Sequence, residues 1–376
     1  MKPSAHSKKI NIMHTVLSLE MGGLEKIVAD TVSGLDKAKY NVEVCCFDSL
    51  GHFAAILADL GIVVNLLQRN QDHYDYFFPC RLKKLLHDKE TDILHMHSGT
   101  FFLGTQAALL AGIPRMVYTD HGRHFVEPKI LLAMDRFCGF FVKKIVAVSH
   151  ELERYLADVV KLPEGKLTTI INGINTRQFA PLPKSTSLLA ELNIPARHRI
   201  IGTVGRLVEV KDQVSMIRAF AQACEEQADI TLLLIGDGPL LPLLQQTARE
   251  CNVADRAVFT GKRNDVAPLM NLMDIFMLTS LSEGTSISLL EAMATGAAPI
   301  VTDVGGNPSI VQQEVNGIVV KPGDIAAMTA AINVLLGNNT VRDRYSNNAI
   351  ETVRCNYSLE SMIGKYTEVY NELYGS

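Results

Sequence analysis

Several small groups of residues in this sequence combine side-chain types and spacings that could do chemistry. In Ser282-Glu283-Gly284-Thr285-Ser286-Ile287-Ser288-Leu289-Leu290-Glu291-Ala292-Met293, Ser286 reads as the N-cap of a helix that carries Glu291 between apolar neighbours, with Glu283 in the loop before it. Helical side chains tilt toward the N-terminus, so Glu291 can lean back toward Glu283. Two carboxylates flanking unpaired N–H groups can then bind hydroxyls and phosphate oxygens in one constellation. As a bare pair of acids, the same spacing also arises on solvated helix faces. Arg206 and Lys211 follow the strand-like Ile200 to Val204. A guanidinium binds two oxygens in its plane and an ammonium supplies a point charge, a combination suited to a diphosphate, although a solvated basic loop would look the same. Gly22 and Gly23 come after the first apolar run and open a helix, where free N–H groups can meet an anion. This is not the Gly-x-Gly-x-x-Gly of a dinucleotide fold, which disfavours NAD, and a purely structural turn is the alternative.

Histidines make up the rest. His121 in Asp120-His121-Gly122 and His97 in His95-Met96-His97-Ser98-Gly99 both stand at strand ends, where a ring can face a ligand. A surface turn for His121 and a satisfied strand end for His97 remain open. Zinc held by His95 and His97 is disfavoured, because no Cys or carboxylate partner is evident. No Asp-x-Asp occurs anywhere in the chain, so no metal clamp for a diphosphate and no cofactor are expected.

These residues need a scaffold, and the hydrophobic pattern supplies one. Short apolar or β-branched runs at 10–16, 42–47, 63–67, 93–96, 115–119 and 145–148 alternate with segments of helical period, which predicts parallel strands covered on both faces. Turn chemistry at Asn172-Gly173, Pro181 and Pro183 ends that series. It restarts with runs at 200–204, 231–235, 257–260, 275–278, 299–302 and 318–320, and helices at 211–227 and 239–251. From residue 358 the chain reads as helix, with Met362, Tyr366, Val369, Tyr370 and Leu373 in an apolar stripe. The expected division is 1–182 for an N-terminal acceptor-binding domain, 183–355 for a C-terminal nucleotide-sugar-binding domain and 356–376 for a terminal helix; the domain roles and the helix's return to the first domain are drawn from the resemblance below. Two doubly wound domains would place the carboxyl ends of both sheets across one cleft.

Composition narrows the function classes. The chain has 376 residues, 47% hydrophobic and 20% charged, which is enough for two cores and excludes a disordered or fibrous protein. A net charge of -4 argues against nucleic acid. Charge divides unevenly, near +2 over residues 1–182 and near -6 beyond, and ten of 11 His fall in the first part. Seven Cys without Cys-x-x-Cys spacing point to a reducing compartment. The basic N-terminus passes straight into a strand-like run without the apolar region of a signal peptide, so a cytoplasmic protein is expected. Phe77, Phe78, Arg81, Lys83 and Lys84, and then Phe137, Phe140, Phe141, Lys143 and Lys144, mix aromatic and basic groups. They suit peripheral contact at the inner face of the plasma membrane, and a core-facing helix at 137–141 is the alternative.

The flanks of the Glu283 to Glu291 segment carry a resemblance. Ser-x-x-Glu-Gly followed by Leu-Leu-Glu-Ala-Met-Ala-x-Gly and then Pro-Ile-Val-x-Asp-Val-Gly-Gly-Asn-Pro is similar to family 4 of the retaining glycosyltransferases. The likeness extends over nearly the whole chain, through Gly22-Gly23, Thr119-Asp120-His121-Gly122, Gly205-Arg206 with Lys211, Ile235-Gly236-Asp237-Gly238-Pro239 and Thr260-Gly261. It implies an α/β chain of GT-B architecture, two Rossmann-like domains facing across a cleft. By this resemblance the Gly22-Gly23 loop closes over the donor diphosphate, and Arg206 and Lys211 neutralise it. Glu291 binds the nucleotide ribose. Glu283, with Gly284, Thr285 and Ser286 beside it, holds the sugar; Arg263 lies by the nucleobase, and His121 braces the reacting sugar. His97 is expected to face the acceptor.

Two departures stand out. Thr285-Ser286 replace an aromatic residue that many relatives carry after Glu-Gly, which bears on sugar preference, and Ser309 stands where an acidic helix-start residue is common. The expected activity is transfer of a hexose-type sugar, from a UDP-sugar in preference to a GDP-sugar, to a glycan or lipid-linked acceptor in surface polysaccharide synthesis. Anomeric configuration would be retained without a metal. A non-catalytic sugar-binding protein and another GT-B enzyme such as a nucleotide-sugar epimerase are the competing readings.

Overall fold

In the computed structural model the described residues are 8–70, 75–122 and 128–375, so the basic segment 1–7 lies outside them. They divide into two compact units, residues 1–172 with 359–376, and residues 173–358.

The first unit runs β1 (Ile10–Ser18), α1 (Gly23–Gly34), β2 (Tyr40–Ser49), α2 (His52–Asp59), β3 (Val63–Leu66), α3 (Phe78–Asp88), β4 (Ile93–His97), α4 (Phe101–Ala111), β5 (Met116–Asp120), α5 (Lys129–Phe141), β6 (Lys144–Ala147), α6 (His150–Tyr155) and β7 (Leu167–Thr169). Its strands form one parallel sheet in the order β3-β2-β1-β4-β5-β6-β7. The second unit runs α7 (Thr186–Glu191), β8 (Arg199–Val204), α8 (Gln213–Glu226), β9 (Ile230–Ile235), α9 (Leu241–Glu250), β10 (Ala257–Phe259), α10 (Val266–Met270), β11 (Ile275–Leu278), α11 (Ile287–Thr295), β12 (Ala298–Thr302), α12 (Asn307–Ile310), β13 (Ile318–Val320), α13 (Ile325–Gly337) and α14 (Asn339–Asn356). Its sheet has the order β10-β9-β8-β11-β12-β13, again parallel. Each unit is a Rossmann-like doubly wound fold, as the alternating pattern predicts. In each, strand order reverses between two central strands, β1 and β4 or β8 and β11, and the loops leaving their carboxyl ends are the place for a ligand.

Burial on both faces explains the continuous apolar runs. Ile230–Ile235 is buried at every position, with Leu232 and Leu234 packed on Phe220, Ile217 and Leu244. The first sheet differs in one respect. Its face with Met13, Leu94, Met96 and Tyr118 joins an ordinary apolar core, while the opposite face carries His14, His95, His97 and Thr119, all buried.

That polar face meets the terminal helix α15 (Leu359–Gly375), which belongs to the first unit. Met362, Tyr366, Val369, Tyr370 and Leu373 are its buried residues, one stripe at helical spacing. Tyr40 Oη donates to Asn371 Oδ1 at 2.8 Å, Arg115 Nε donates to the Leu373 carbonyl at 2.9 Å, and Lys144 pairs with Glu372 at 3.1 Å.

The first unit ends at residue 172, ten residues before the expected 182. The intervening turns pack on the second sheet, where the Leu182 N–H donates to Asn271 Oδ1 at 2.7 Å and Lys184 pairs with Asp274 at 2.6 Å. The helix expected from Lys211 starts at Gln213, because Asp212 takes a left-handed conformation (φ 45°) and caps it through its side chain, accepting from the Ser215 N–H at 3.3 Å. In α5 Cys138 and Gly139 are buried and Phe141 packs against the core, while Phe137 and Phe140 are 53% and 73% exposed, so the core-facing alternative holds for one side of that stretch and fails for these two residues. Phe77 is likewise exposed, and Phe78 is buried against Phe47.

Candidate active site

In the second unit, the loops leaving β8 and β11 converge. After β8, Arg206 is exposed, and its guanidinium has no hydrogen-bond or ion-pair partner among the described residues. Residues 209–211 form a 3-10 turn that brings Lys211 beneath the loop after β11. The Thr279 hydroxyl donates to the carbonyls of Lys211 and Asp212, each at 3.0 Å, and the Leu281 N–H donates to the Val210 carbonyl at 2.8 Å. This stapling fixes the Lys211 ammonium on the Glu283 carboxylate, a salt bridge whose acidic partner has a side chain only 9% exposed. Ser280, fully buried, donates to the same oxygen, Glu283 Oε1, at 2.6 Å. Two donors thus aim one carboxylate, and a charge-assisted pair with so little water around it is held far more firmly than a surface ion pair.

The loop carrying Glu283 is also held from beneath. Thr302 donates to the Ser280 carbonyl at 2.6 Å and Asn307 Nδ2 to the Thr302 carbonyl at 3.1 Å, all three side chains being buried. Gly305 adopts φ 52°, and a Cβ there would lie 1.7 Å from the Glu283 carbonyl oxygen, so only glycine fits. Gly306 donates to the Gly284 carbonyl at 3.3 Å. Gly236 plays the same part for the Arg206 loop, with φ 139° and a Cβ position 2.0 Å from the Gly205 carbonyl oxygen.

Ser286 caps α11 as the pattern predicts, its hydroxyl accepting from the Leu289 N–H at 3.4 Å. Glu291 lies on this helix and is 5% exposed, not on a solvated face. Gly284 and Thr285 lie between Glu283 and the cap. Arg263 is committed elsewhere: it makes a bidentate pair with Asp265 at 2.7 and 2.6 Å and a third bond to Glu191 at 2.7 Å.

In the first unit, Gly22 is the N-cap of α1 in extended conformation (φ -160°), and as a glycine it supplies no side-chain cap. Gly23 begins the helix. At the carboxyl ends of β4 and β5 stand His97 and His121. His97 is 1% exposed and both its ring nitrogens are engaged, Nδ1 with His121 Nε2 at 2.9 Å and Nε2 with His14 Nδ1 at 3.0 Å. It therefore meets His121 where the sequence suggested an acceptor. His121 is half-buried. Its backbone N–H donates to the Ser98 hydroxyl at 2.9 Å, and Asp120 Oδ1 accepts from the Gly122 N–H at 3.1 Å, which fixes the turn. Burial keeps these rings neutral, holding His14 and His121 down to about 3 and His95 and His97 well below the ordinary histidine range.

His14, His95 and His97 are also a metal-capable group, with ligand atoms within 4.8 Å of one another. His14 is the third imidazole that the sequence argument lacked. The ring nitrogens that would bind an ion are already bonded to one another, to Tyr370 and to Thr119. The donor set holds no carboxylate or thiolate to offset a divalent charge in so dry a place. Sequence reasoning quoted Ser280, Gly305 and Asn307 within the motif without assigning them a role and passed over Thr302; all four support Glu283 or its loop through contacts made only on folding.

No helix among the described residues is long and apolar enough to cross a membrane.

Comparison with known proteins follows the same division. The family model for Glycosyltransferase Family 4 matches residues 21–178 and that for Glycosyl transferases group 1 matches residues 185–352. The chain is 27% identical over 384 residues to the UDP-Gal:alpha-D-GlcNAc-diphosphoundecaprenol alpha-1,3-galactosyltransferase of Escherichia coli, with 98% of each protein covered. It is 27% identical to N-acetyl-alpha-D-glucosaminyl L-malate synthase of Bacillus anthracis, with 80% of each covered. A solved glycosyltransferase from Rickettsia africae superposes with a TM-score of 0.85 at 19% identity, over 98% of this chain and 99% of that one. HepE of Anabaena in complex with UDP superposes with a TM-score of 0.85 at 20% identity, over 97% and 100%. These two likenesses concern the fold. With a family match on each half and the two parallel sheets of GT-B enzymes, the chain belongs to the group 1, family 4 glycosyltransferases.

Proposed function

We propose that this glycosyltransferase moves a hexose-type sugar from a UDP-sugar to a lipid-linked or glycan acceptor in surface polysaccharide synthesis, retaining the anomeric configuration. The observation that carries the reading is the Lys211–Glu283 pair beside the uncommitted Arg206, at the point where the strand order of the second sheet reverses. A departing nucleoside diphosphate needs cations, and Arg206 with Lys211 supplies them without a metal. Glu283 takes hydroxyls of the sugar, with the backbone of Gly284, Thr285 and Ser286 at the N-terminus of α11 facing phosphate oxygens, and Glu291 takes the ribose hydroxyls. Arg263 serves the base region.

The acceptor belongs to the first unit, where the N-terminus of α1 at Gly22 and Gly23 and the half-buried His121 stand at the ends of β1 and β5, with His121 against the reacting sugar. Transfer is front-face: the leaving phosphate oxygen takes the acceptor hydroxyl's proton as the new glycosidic bond forms, and the carboxylate of Glu283 stays a ligand of the sugar. The uridine preference and the lipid-diphosphate class of acceptor lean on the E. coli relative, aligned end to end. Phe77, Phe137, Phe140 and Ile130, all exposed and accompanied by Lys129 and Lys143, would rest this unit on an anionic bilayer at the cytoplasmic face.

The test is a melting screen against UDP, GDP and ADP with their sugars, followed by release of the nucleoside diphosphate in the presence of an acceptor. A nucleotide at ~100 times its dissociation constant stabilises the fold by about 2.7 kcal/mol. UDP-specific stabilisation and acceptor-dependent UDP release are expected; GDP-specific stabilisation would overturn the uridine assignment, and binding without release under any acceptor would overturn transfer.

A further inference from the structure

The histidine-lined face of the first sheet is continuous with His121, and its connectivity determines more than burial alone. Strand alternation places the groups. His14 pairs in register with His95 across β1 and β4, and His97 with Thr119 across β4 and β5. Residues two apart share a face, so His14, His95, His97, Thr119 and His121 line one surface, under Tyr366 and Tyr370 one turn apart on α15.

These groups bond end to end. His121 Nε2 meets His97 Nδ1 at 2.9 Å, His97 Nε2 meets His14 Nδ1 at 3.0 Å, and His14 Nε2 meets the Tyr370 hydroxyl at 3.3 Å. The Tyr370 hydroxyl meets His95 Nδ1 at 2.6 Å, His95 Nε2 meets Thr119 Oγ1 at 2.7 Å, and Thr119 Oγ1 meets the Tyr366 hydroxyl at 3.3 Å. Every member between the two ends has one neighbour on each side. A neutral imidazole has one N–H and one lone pair, while a hydroxyl donates one hydrogen and can accept two, so seven hydrogens serve six contacts and one is left over, on His121 Nδ1 or on the hydroxyl of Tyr370, Thr119 or Tyr366. With the leftover on His121 Nδ1, all hydrogens run toward His121, and His14, His95, His97 and His121 all carry hydrogen on Nδ1. Any of the other three places puts hydrogen on Nε2 of His14, His97 and His121.

On Tyr370, Thr119 or Tyr366 the leftover hydrogen would be an O–H on a fully buried side chain with no acceptor among the described residues, which costs about 1–3 kcal/mol. The lone pair of His121 Nδ1, a buried atom with no partner among the described residues, would then be unsatisfied as well. With the hydrogen on His121 Nδ1 that one atom alone is unsatisfied, and of the four places it alone stands on a half-buried residue at the end of a strand, where an incoming substrate oxygen can accept it.

We infer that this relay, running from Tyr366 on the terminal helix to the strand end, fixes His121 as the Nδ1–H tautomer, so that it meets substrate as a hydrogen-bond donor and not as a base. His97, His14, Tyr370, His95, Thr119 and Tyr366 are positioning residues for it. Each bond in such a chain polarises the next, which strengthens the terminal donor. The functional half of this inference rests on the placement of His121 against the sugar under Proposed function; the tautomer half does not.

The test is long-range 15N–1H correlation on the intact, ligand-free protein labelled with 15N-histidine, with His121→Gln identifying the His121 signals. Four imidazoles that do not titrate near neutral pH, all protonated at Nδ1, are expected. Nε2 protonation of His14, His97 and His121, with His95 in either form, would overturn the polarity, and any other mixture within the set would overturn the unbroken relay. Stoichiometric zinc in the purified protein would overturn it in favour of a metal site at His14, His95 and His97. In His97→Leu, which removes the donor to His121 Nε2, His121 should lose its pure Nδ1–H signature and kcat should fall about tenfold with the donor KM little changed. His97→Gln, whose amide N–H can donate to the same lone pair, should recover both. If His121 kept its signature in His97→Leu, the relay would not be what holds it. The tautomer is read without donor or acceptor. An expected pattern together with unaltered turnover in His97→Leu would therefore overturn the placement of His121 at the sugar and leave the relay standing.

Discussion

Arg206 and Lys211 are five residues apart and carry the same charge, but their surroundings divide the work. Lys211 aims Glu283 as well as adding its charge to the site, while the Arg206 guanidinium has no protein acceptor among the described residues. Arg206→Ala should therefore leave the fold intact and lower kcat/KM by about 10²–10³, the cost of one preorganised donor to a developing oxyanion; steady-state kinetics beside an unchanged melting temperature checks this, and a loss under threefold would remove Arg206 from the diphosphate. Lys211→Ala should do more, because it leaves the Glu283 carboxylate, 9% exposed, with only Ser280. Its melting temperature should fall as well as its activity. Gly305→Ala tests the loop: a Cβ 1.7 Å from the Glu283 carbonyl must displace backbone, so donor affinity should drop though residue 305 need not touch donor. An unchanged affinity would show that the loop adapts. The sequence pointed to both carboxylates and both cations through their types and flanks. It could not reveal Ser280 or Gly305, whose significance comes from which oxygen each approaches after folding.

Elements were legible where period and length are distinctive. Twelve of the thirteen strands fall where apolar runs predicted them, the exception being the three-residue edge strand β7, and the α15 stripe is the buried face of its helix. Boundaries were less legible: a left-handed Asp212 shortens α8, and nothing in the residue type requires that conformation. The alternating His of β4 gave period-2 spacing, but the partner strand carrying His14 is eighty residues away and the covering helix is at the far terminus, so the cluster could not be read locally. Helix α5 shows the converse, since its aromatic residues suggested either a core or a membrane and only their exposure separates the two. If the exposed face meets lipid, Phe140→Ser should weaken binding to anionic vesicles roughly tenfold, in line with the ~1.5–3 kcal/mol of an inserted Phe side chain. Co-sedimentation at low and high salt measures it. Equal binding by Phe140→Ser and the unaltered protein would remove this face from the membrane.

At the scale of the molecule, the uneven charge and histidine content acquire separate meanings. The second unit, with 15 Lys+Arg against 18 Asp+Glu over residues 173–358, is the one proposed to bind an anionic donor, so the local placement of Arg206 and Lys211 outweighs its net charge of -3. The histidine excess of the first unit is in part structural, since four of its rings form a buried row, and this makes the two units respond differently to acid. Unfolded histidines gain protons as pH falls below about 6.5. In the folded protein His14 and His121 resist protonation down to about 3, and burial lowers His95 and His97 well below the ordinary value. Between those limits the unfolded state binds more protons, so stability rises with pH and falls on acidification, by up to about 1.4 kcal/mol per pH unit for each ring. Above about pH 7 both states hold these rings neutral and the effect vanishes. Scanning calorimetry at pH 8, 7, 6 and 5 should then show one transition nearly constant from 8 to 7 and falling steeply below 6.5. A second transition, the one raised by added UDP if the donor assignment holds, should move less, because the second unit contains only His198, a partly exposed ring, and no buried row. A UDP-sensitive transition that fell as fast as the other would mean that the two units unfold together, and equal melting temperatures at pH 7 and pH 5 would show that the row is not held neutral.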